Sequence, residues 1–427
     1  MSHEVIASPT IPAHLPPRLA IGFWGYWWLT NSGPGEAYED LERAVAESKD
    51  RHFNCLRIDV APDWCRDPQG RRRGRIELAP FAGPFGRTNN RSCEYRGVTL
   101  DVHERLMQLV DLAARYDMCL ALTSWQFQET PPIAADRDIR RQILSVPDTD
   151  WFMHMARTHD RLINEIKDRG LERTIAYVEV HNEMNYVPGE DEAKRLRSEE
   201  AIDFLRQRHP DLLIAADYAW FEDSWFARNT QLVDHHAYAG KSTLSKLFCG
   251  ALWDIDKGPD MNDEFLRWIL KPDFTPWEEF VARVNVGDFV HPAWICRVWF
   301  YANLDNNRFD YWCFRQFGAE ADGMVESVTT KIKQGADWAR RYNVPAVIDE
   351  GYNLYPPLHS RFEESAAGRW VVENAVHTAI EQGYWGILPT CYFCPDAPAW
   401  HEEPQKSYIT KLNRHILAGK VERLLGP

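Results

Sequence analysis

The run Ile175-Ala176-Tyr177-Val178-Glu179-Val180-His181 is short and almost continuously apolar, stops at Asn182-Glu183, and gives way to a helical pattern over Glu192–His209. That is the pattern of a strand covered on both faces, as happens when helices cross over between parallel neighbours. Seven runs of the same kind flank it: Leu19–Phe23, Cys55–Val60 and Met118–Ser124 before it, and Leu213–Asp217, Leu232–His236, Ala346–Asp349 and Tyr384–Thr390 after it. Apolar residues at three- and four-residue spacing predict helices over Ala37–Lys49, Leu100–Tyr116, Trp151–Arg169, Glu192–His209, Met324–Tyr342, Glu364–Gln382 and Ser407–Leu425. Only the step from the fifth to the sixth strand lacks one, and a short turn at Asp223–Arg228 stands in its place.

Eight such βα units either close on themselves or lie open as a doubly wound sheet. An open nucleotide-binding sheet requires a glycine-rich loop after its first strand, and none is present, so residues 1–427 read as a single (β/α)8 TIM barrel. Two connections are too long for simple crossovers: Ala61–Val98 after strand two, and residues 239–323 after strand six. The second carries Trp253, Trp268, Trp277, Trp294, Trp299 and Trp312 and reads as a large, mostly helical subdomain inserted between strand six and its helix.

Composition narrows the partners. Of 427 residues, 44% are hydrophobic and 26% charged, enough apolar surface for a large core. A net charge of −14 opposes the phosphate neutralisation that nucleic-acid binding requires, and the short cluster Arg71, Arg72, Arg73 and Arg75 reads as a solvated loop. No window of about 18 apolar residues marks a membrane span, and Met1–Pro17 lacks the basic-then-apolar order of a secretion signal. Nine cysteines, an odd number thinly spread, read as reduced thiols. A cytoplasmic location is therefore expected, with a mature secreted form as the alternative; nothing in the pattern speaks to oligomeric state.

The active site of a barrel sits where its strands end. Strand four ends at Glu183, and strand seven, in Pro345-Ala346-Val347-Ile348-Asp349-Glu350-Gly351, at Glu350, with Asp349 the competing carboxylate. Positions four and seven lie on different parts of the rim, so both side chains can lean over its centre, as the two carboxylates of a glycoside hydrolase do. One carboxyl must carry a proton for the leaving alkoxide while the other stays ionised, so their surroundings must drive the two pKa values apart. Arg57 on strand two and Tyr238 at the end of strand six are placed to favour an ionised Glu350, whereas Glu183 has no cation of its own in the pattern and is expected to keep its proton.

With these residues in hand, the chain resembles the retaining β-glycosidases of glycoside hydrolase clan A, specifically the cellulase-like, family 5 type. The resemblance rests on Asn182-Glu183 closing strand four, Glu350 closing strand seven, Arg57 on strand two and His236-Ala237-Tyr238 on strand six. It implies that Glu183 is the acid/base and Glu350 the nucleophile, that Asn182 binds the sugar 2-hydroxyl, and that Arg57, His236 and Tyr238 support the nucleophile. No metal or organic cofactor is implied; the partner is a carbohydrate. The family often floors the first sugar subsite with a tryptophan at the end of strand eight, but Ile387-Leu388-Pro389-Thr390-Cys391-Tyr392 has none, leaving Trp400 or Tyr392 as substitutes.

Further candidates rest on position alone. His181 lies on the polar end of strand four, and Trp24 and Trp125 follow strands one and three, where sugar rings stack in such barrels. His181-Asn182-Glu183 with Cys391-Tyr392-Phe393-Cys394 mimics a zinc deaminase signature, but the proline stands at 389 rather than directly before the first cysteine, so no zinc is read. No strand-end lysine offers a Schiff-base nucleophile. The alternative is a carbohydrate-binding barrel without hydrolysis, and the long aromatic-rich insertion tilts the reading towards a pocket and exo action.

Overall fold

A computed structural model describes residues 11–79, 97–128, 130–239, 258–283, 293–353 and 359–424. Residues 80–96 and 240–257, Trp253 among them, lie within the two long connections and outside the described residues.

Eight strands close into a parallel barrel: β1 (Leu19–Gly25), β2 (Cys55–Asp59), β5 (Cys119–Thr123), β6 (Ile175–Glu179), β7 (Ile214–Tyr218), β8 (Val233–Tyr238), β9 (Ala346–Tyr352) and β10 (Gly386–Ile387). They stand around the ring in chain order, with β10 pairing back on β1, so β6 is the fourth barrel strand and β9 the seventh. Each of the eight predicted runs is a barrel strand. The remaining two, β3 (Arg75–Leu78) and β4 (Val98–Asp101), form an antiparallel pair inside the connection that follows β2. The eighth strand is cut to two residues. It is squeezed between β1 and β9, where a Cβ on Gly386 would come within 2.9 Å of Ile21 and 3.0 Å of Val347, so any larger residue would have to displace those side chains.

Helices cover the barrel as the apolar periodicity predicts, with starts set by capping carboxylates: Asp40 accepts from the Arg43 amide and Asp101 from the Glu104 amide. Between β7 and β8 there is only a turn. The largest departure is the helix before β9, which runs unbroken over Asn306–Tyr342, 37 residues, where only Met324–Tyr342 was legible. Phe309, Trp312 and Cys313 are buried at helical spacing, but between Cys313 and Met324 none of its residues is buried, so the apolar stripe is interrupted and does not read as one helix. This rod passes straight through residue 323, the far edge of the predicted insertion, and helices at Glu264–Ile269, Trp277–Arg283 and Ala293–Asn303 precede it. None of the helices in the described residues is long and apolar enough to cross a membrane.

The rod docks on the barrel at Gly335, where a side chain would overlap the His235 ring and the Tyr384 hydroxyl, both buried. Gly335→Ala should therefore lower stability by about 1–3 kcal/mol in denaturant unfolding, although alanine is the better helix former. An unchanged or raised midpoint would show that the contact yields freely.

Candidate active site

Which side chains reach the barrel interior follows from alternation and two irregularities. On β8, Asp234, His236 and Tyr238 share one face, and His235 points the other way, stacking on Phe221 at 4.9 Å and Tyr384 at 5.8 Å. On β9 the register against β8 shifts, from His235 opposite Ile348 to His236 opposite Glu350. One residue is extra there, so the neighbours Asp349 and Glu350 both reach the same interior cluster. A second shift on β1 makes Trp24 the extra residue between Phe23 and Gly25.

Arg57 gathers the cluster. Fully buried, it donates from Nε and Nη2 to the two oxygens of Glu179 at 3.0 and 2.7 Å, from Nη1 to Glu350 Oε1 at 3.0 Å, and from Nη2 to Asn182 Oδ1 at 2.8 Å. Its Nε also lies 2.7 Å from Asp349, and Nη2 lies 3.4 Å from Asp217. The indole of Trp125 covers the guanidinium at 4.7 Å. Glu350 receives a second hydrogen bond on Oε2 from the Tyr238 hydroxyl at 2.7 Å, and that hydroxyl in turn meets Cys391 Sγ at 3.5 Å.

Glu183, four residues past the end of β6, occupies a left-handed backbone conformation, φ 47° and ψ 63°, which leads into the turn Met184–Tyr186. A non-glycine residue there costs about 1–3 kcal/mol and persists where surroundings enforce it; here Asp217 Oδ2 accepts from the Glu183 amide at 2.8 Å. The carboxylate is contacted by Gln128 Nε2 at 3.2 Å and by His236 Nδ1 at 2.8 Å. This corrects the expectation that Glu183 stands without a cation. His236 is closer to Glu183 than to Glu350, 3.6 Å away, and Asp217 sits 3.1 Å from its other nitrogen. Burial opposes the imidazolium, but Asp217 and Glu350 outweigh it and raise its pKa well above 6.5. An oxygen of Glu183, an oxygen of Glu350 and a ring nitrogen of His236 all lie within 4.8 Å of one another.

The other predicted residues divide. Asn182 joins the cluster, bridging Arg57 and Gln128, and Trp125 joins it through Arg57. His181 is committed to backbone, with Nδ1 against the Asn182 carbonyl at 2.6 Å and Nε2 accepting the Phe127 amide at 3.3 Å. Trp24 is not brought to the cluster; it packs edge-on to Tyr38 at 5.0 Å. Nor is Trp400, whose ring lies under Arg51 at 4.1 Å and whose Nε1 bonds Glu47. The Tyr392 hydroxyl donates to the Asn353 carbonyl at 3.5 Å. A cavity of about 460 Å³ lies further out, between Val60–Arg73 and the helix Trp151–Asp168, and includes neither glutamate.

Sequence reasoning missed Gln128, Asp217, Asp234 and Cys391. The signal for Asp217 and Asp234 was available, since each is a charge inside an otherwise apolar strand. Glu179, Asp234 and Asp349 bring oxygens within 4.8 Å of one another, as a metal site would, but the Arg57 guanidinium already stands between Glu179 and Asp349.

Residues 21–212 match the family of sugar-binding cellulase-like proteins, a segment that includes Arg57, Asn182 and Glu183 and stops before His236, Tyr238 and Glu350. Among solved structures it is similar to a candidate glycoside hydrolase of Parabacteroides distasonis, at 17% identity over 96% of this chain and 95% of that one, with a TM-score of 0.66. It is also similar to the endo-β-1,4-mannanase of Thermotoga petrophila, at 11% identity over 97% and 80%, with a TM-score of 0.50. At these identities the likeness is one of fold: a (β/α)8 barrel bearing the cellulase-like pattern in its first half. No curated protein matches the chain.

Both oxygens of Asp234 lack a hydrogen-bond partner, and its side chain is fully buried. Burial, then the charges of Asp349 and Glu179, push its pKa well above 3.8. A carboxyl raised in this way takes up a proton on folding, so its cost is absent below pH 3.8 and grows as pH rises towards the folded value. Asp234→Asn should therefore stabilise the protein at pH 8, by about 1–3 kcal/mol, and much less at pH 4. Thermal unfolding at the two pH values checks this, and an equal effect at both would refute it.

Proposed function

We propose that the protein is a retaining β-glycoside hydrolase in which Glu350 is the nucleophile and Glu183 the acid/base. The observation that carries this reading is that one oxygen of Glu183 and one oxygen of Glu350 lie within 4.8 Å of each other, with His236 Nδ1 beside both. Retaining enzymes hold their carboxyl groups about 5–5.5 Å apart, whereas inverting enzymes leave about 6.5–9.5 Å for a water molecule.

The chemistry follows from the contacts. Glu350 attacks the anomeric carbon and forms a glycosyl ester while Glu183 gives its proton to the departing oxygen; Glu183 then takes a proton from water, whose oxygen displaces Glu350 and frees the sugar. Arg57 and Tyr238 each donate to one oxygen of Glu350, which keeps the carboxylate charged and aims it. His236 spans both halves of the cycle: its Nδ1 bond stabilises Glu183 at the moment its proton leaves. Asn182, fixed by Arg57 and Gln128, is the group for the sugar hydroxyl beside the anomeric carbon.

One observation favours a second reading, a carbohydrate-binding barrel that does not hydrolyse. The His236 ring holds one oxygen of Glu183 through Nδ1 at 2.8 Å, and that contact competes with use of the carboxyl as a proton donor. A screen of aryl β-glycosides and β-linked oligosaccharides separates the two. Turnover with retention of anomeric configuration, followed by NMR, supports the hydrolase; calorimetric binding without new reducing ends supports the binding protein.

Glu350→Gln should lower kcat by at least about 10³-fold and leave substrate binding intact. Glu183→Gln should lower kcat by about 10²–10⁴-fold on poor leaving groups and much less on nitrophenolate, which needs no proton. Turnover by Glu350→Gln at the wild-type rate would remove the assignment.

A further inference from the structure

Three residues beyond Glu183 stands Tyr186, and three residues beyond Asp217, which accepts from the Glu183 amide, stands Trp220. The two short segments are clasped to each other: Asn185 Nδ2 donates to the Trp220 carbonyl at 3.0 Å, and Asn185 Oδ1 accepts from the Ala219 amide at 2.8 Å. Asn185 is buried, so this clasp fixes the level of the Trp220 backbone against the loop that carries Glu183. Three residues span at most about 11 Å, so Trp220 and Tyr186 stand within one or two pyranose rings of the carboxyl that would protonate a leaving group.

The indole of Trp220 is 41% exposed, in a protein whose other barrel-end tryptophans, Trp24 and Trp125, are buried. Its ring neighbours are Tyr186 at 5.5 Å and Trp225 at 5.6 Å, with interplanar angles of 90° and 78°. Among the described residues neither ring lies flat on it. An indole packed for stability hides its faces, whereas this one is held by perpendicular neighbours and a backbone clasp while much of it meets water.

We propose that Trp220, braced by Tyr186 and Asn185, is the stacking platform for the leaving portion of the substrate, and that this portion carries at least one pyranose ring. The inference rests on the hydrolase reading for its direction, since it is the position of Glu183 that makes this the leaving-group side. It names the substrate class as β-linked oligosaccharides rather than simple glycosides, and it replaces the closed pocket expected from the length of the insertion by a site extended past the acid/base. The face of a sugar ring is apolar and its edge polar, which matches an indole at the wet rim of a polar cluster.

The test compares wild type, Trp220→Ala and Trp220→Phe on cellotetraose and mannotetraose and on the para-nitrophenyl β-glucoside and β-mannoside, whose leaving group has no sugar to stack. For Trp220→Ala, kcat/KM on the accepted tetraose should fall about two- to tenfold further than on the corresponding nitrophenyl glycoside, with KM taking most of the loss. Trp220→Phe should recover part of it. An equal change on both substrates overturns the platform and leaves the hydrolase reading standing. If wild type cleaves none of the four probes, the hydrolase reading fails by itself. Calorimetry of the tetraoses then reads the platform: weaker binding to Trp220→Ala supports it, and equal binding, or none to wild type, overturns it.

Discussion

A guanidinium in a dry barrel is the constraint from which the rest of this molecule follows. Arg57 is wholly buried, and a buried charge is tolerated only when paired and hydrogen-bonded. Three strands answer it: β6 with Glu179, β7 with Asp217, and β9 with Asp349 and Glu350, while Asn182 contributes from just past β6. The arrangement ties strands on opposite parts of the ring through one planar group, and it leaves the two carboxylates that face the open end with distinct surroundings. Glu350 is held from two sides by donors; Glu183 is held through its backbone by Asp217 and through its side chain by His236.

The cluster also holds more acid than Arg57 and His236 can balance. Asp234 and Asp349 lie in the same core, and for both, burial is the main cause that pushes the carboxyl well above its ordinary pKa. Burial and the neighbouring carboxylates thus push both towards the neutral form, and Asp349 accepts from the Tyr177 hydroxyl at 3.2 Å. Stability is lost beneath the site so that the charges at its surface can be aligned, which is common where function sets the geometry.

Much of this was legible from the chain. Each of the eight apolar runs holds a barrel strand, with ends displaced by up to three residues, because parallel strands buried on both faces leave little freedom in composition, and Glu183 and Glu350 were marked by being charged near where such runs stop. What could not be read was set by register. The extra residue on β9 that brings both Asp349 and Glu350 inward, and the one on β1 that leaves Trp24 outside, depend on a neighbouring strand and have no local signature. His236 was read as a support for Glu350 because the resemblance implies it, yet the ring turns its Nδ1 to Glu183. Trp400 was chosen for want of a tryptophan after the eighth strand, and its partner proved to be Arg51 beneath the helix Leu41–Asp50. Trp220 went unremarked because a single exposed aromatic in a loop carries no pattern until its neighbours are seen.

The long rod Asn306–Tyr342 has a consequence for how such a protein could have acquired its extra segment. Its buried residues from Met324 onwards brace the barrel beside β8 and β9, while its opening turns belong to the excursion. A continuous backbone ladder joins the two, with no hinge at which one could be excised and the other kept. The excursion is thus an outgrowth of a scaffold element rather than an appended module, and any lineage that trimmed it would have had to rebuild the first half of a supporting helix at the same time.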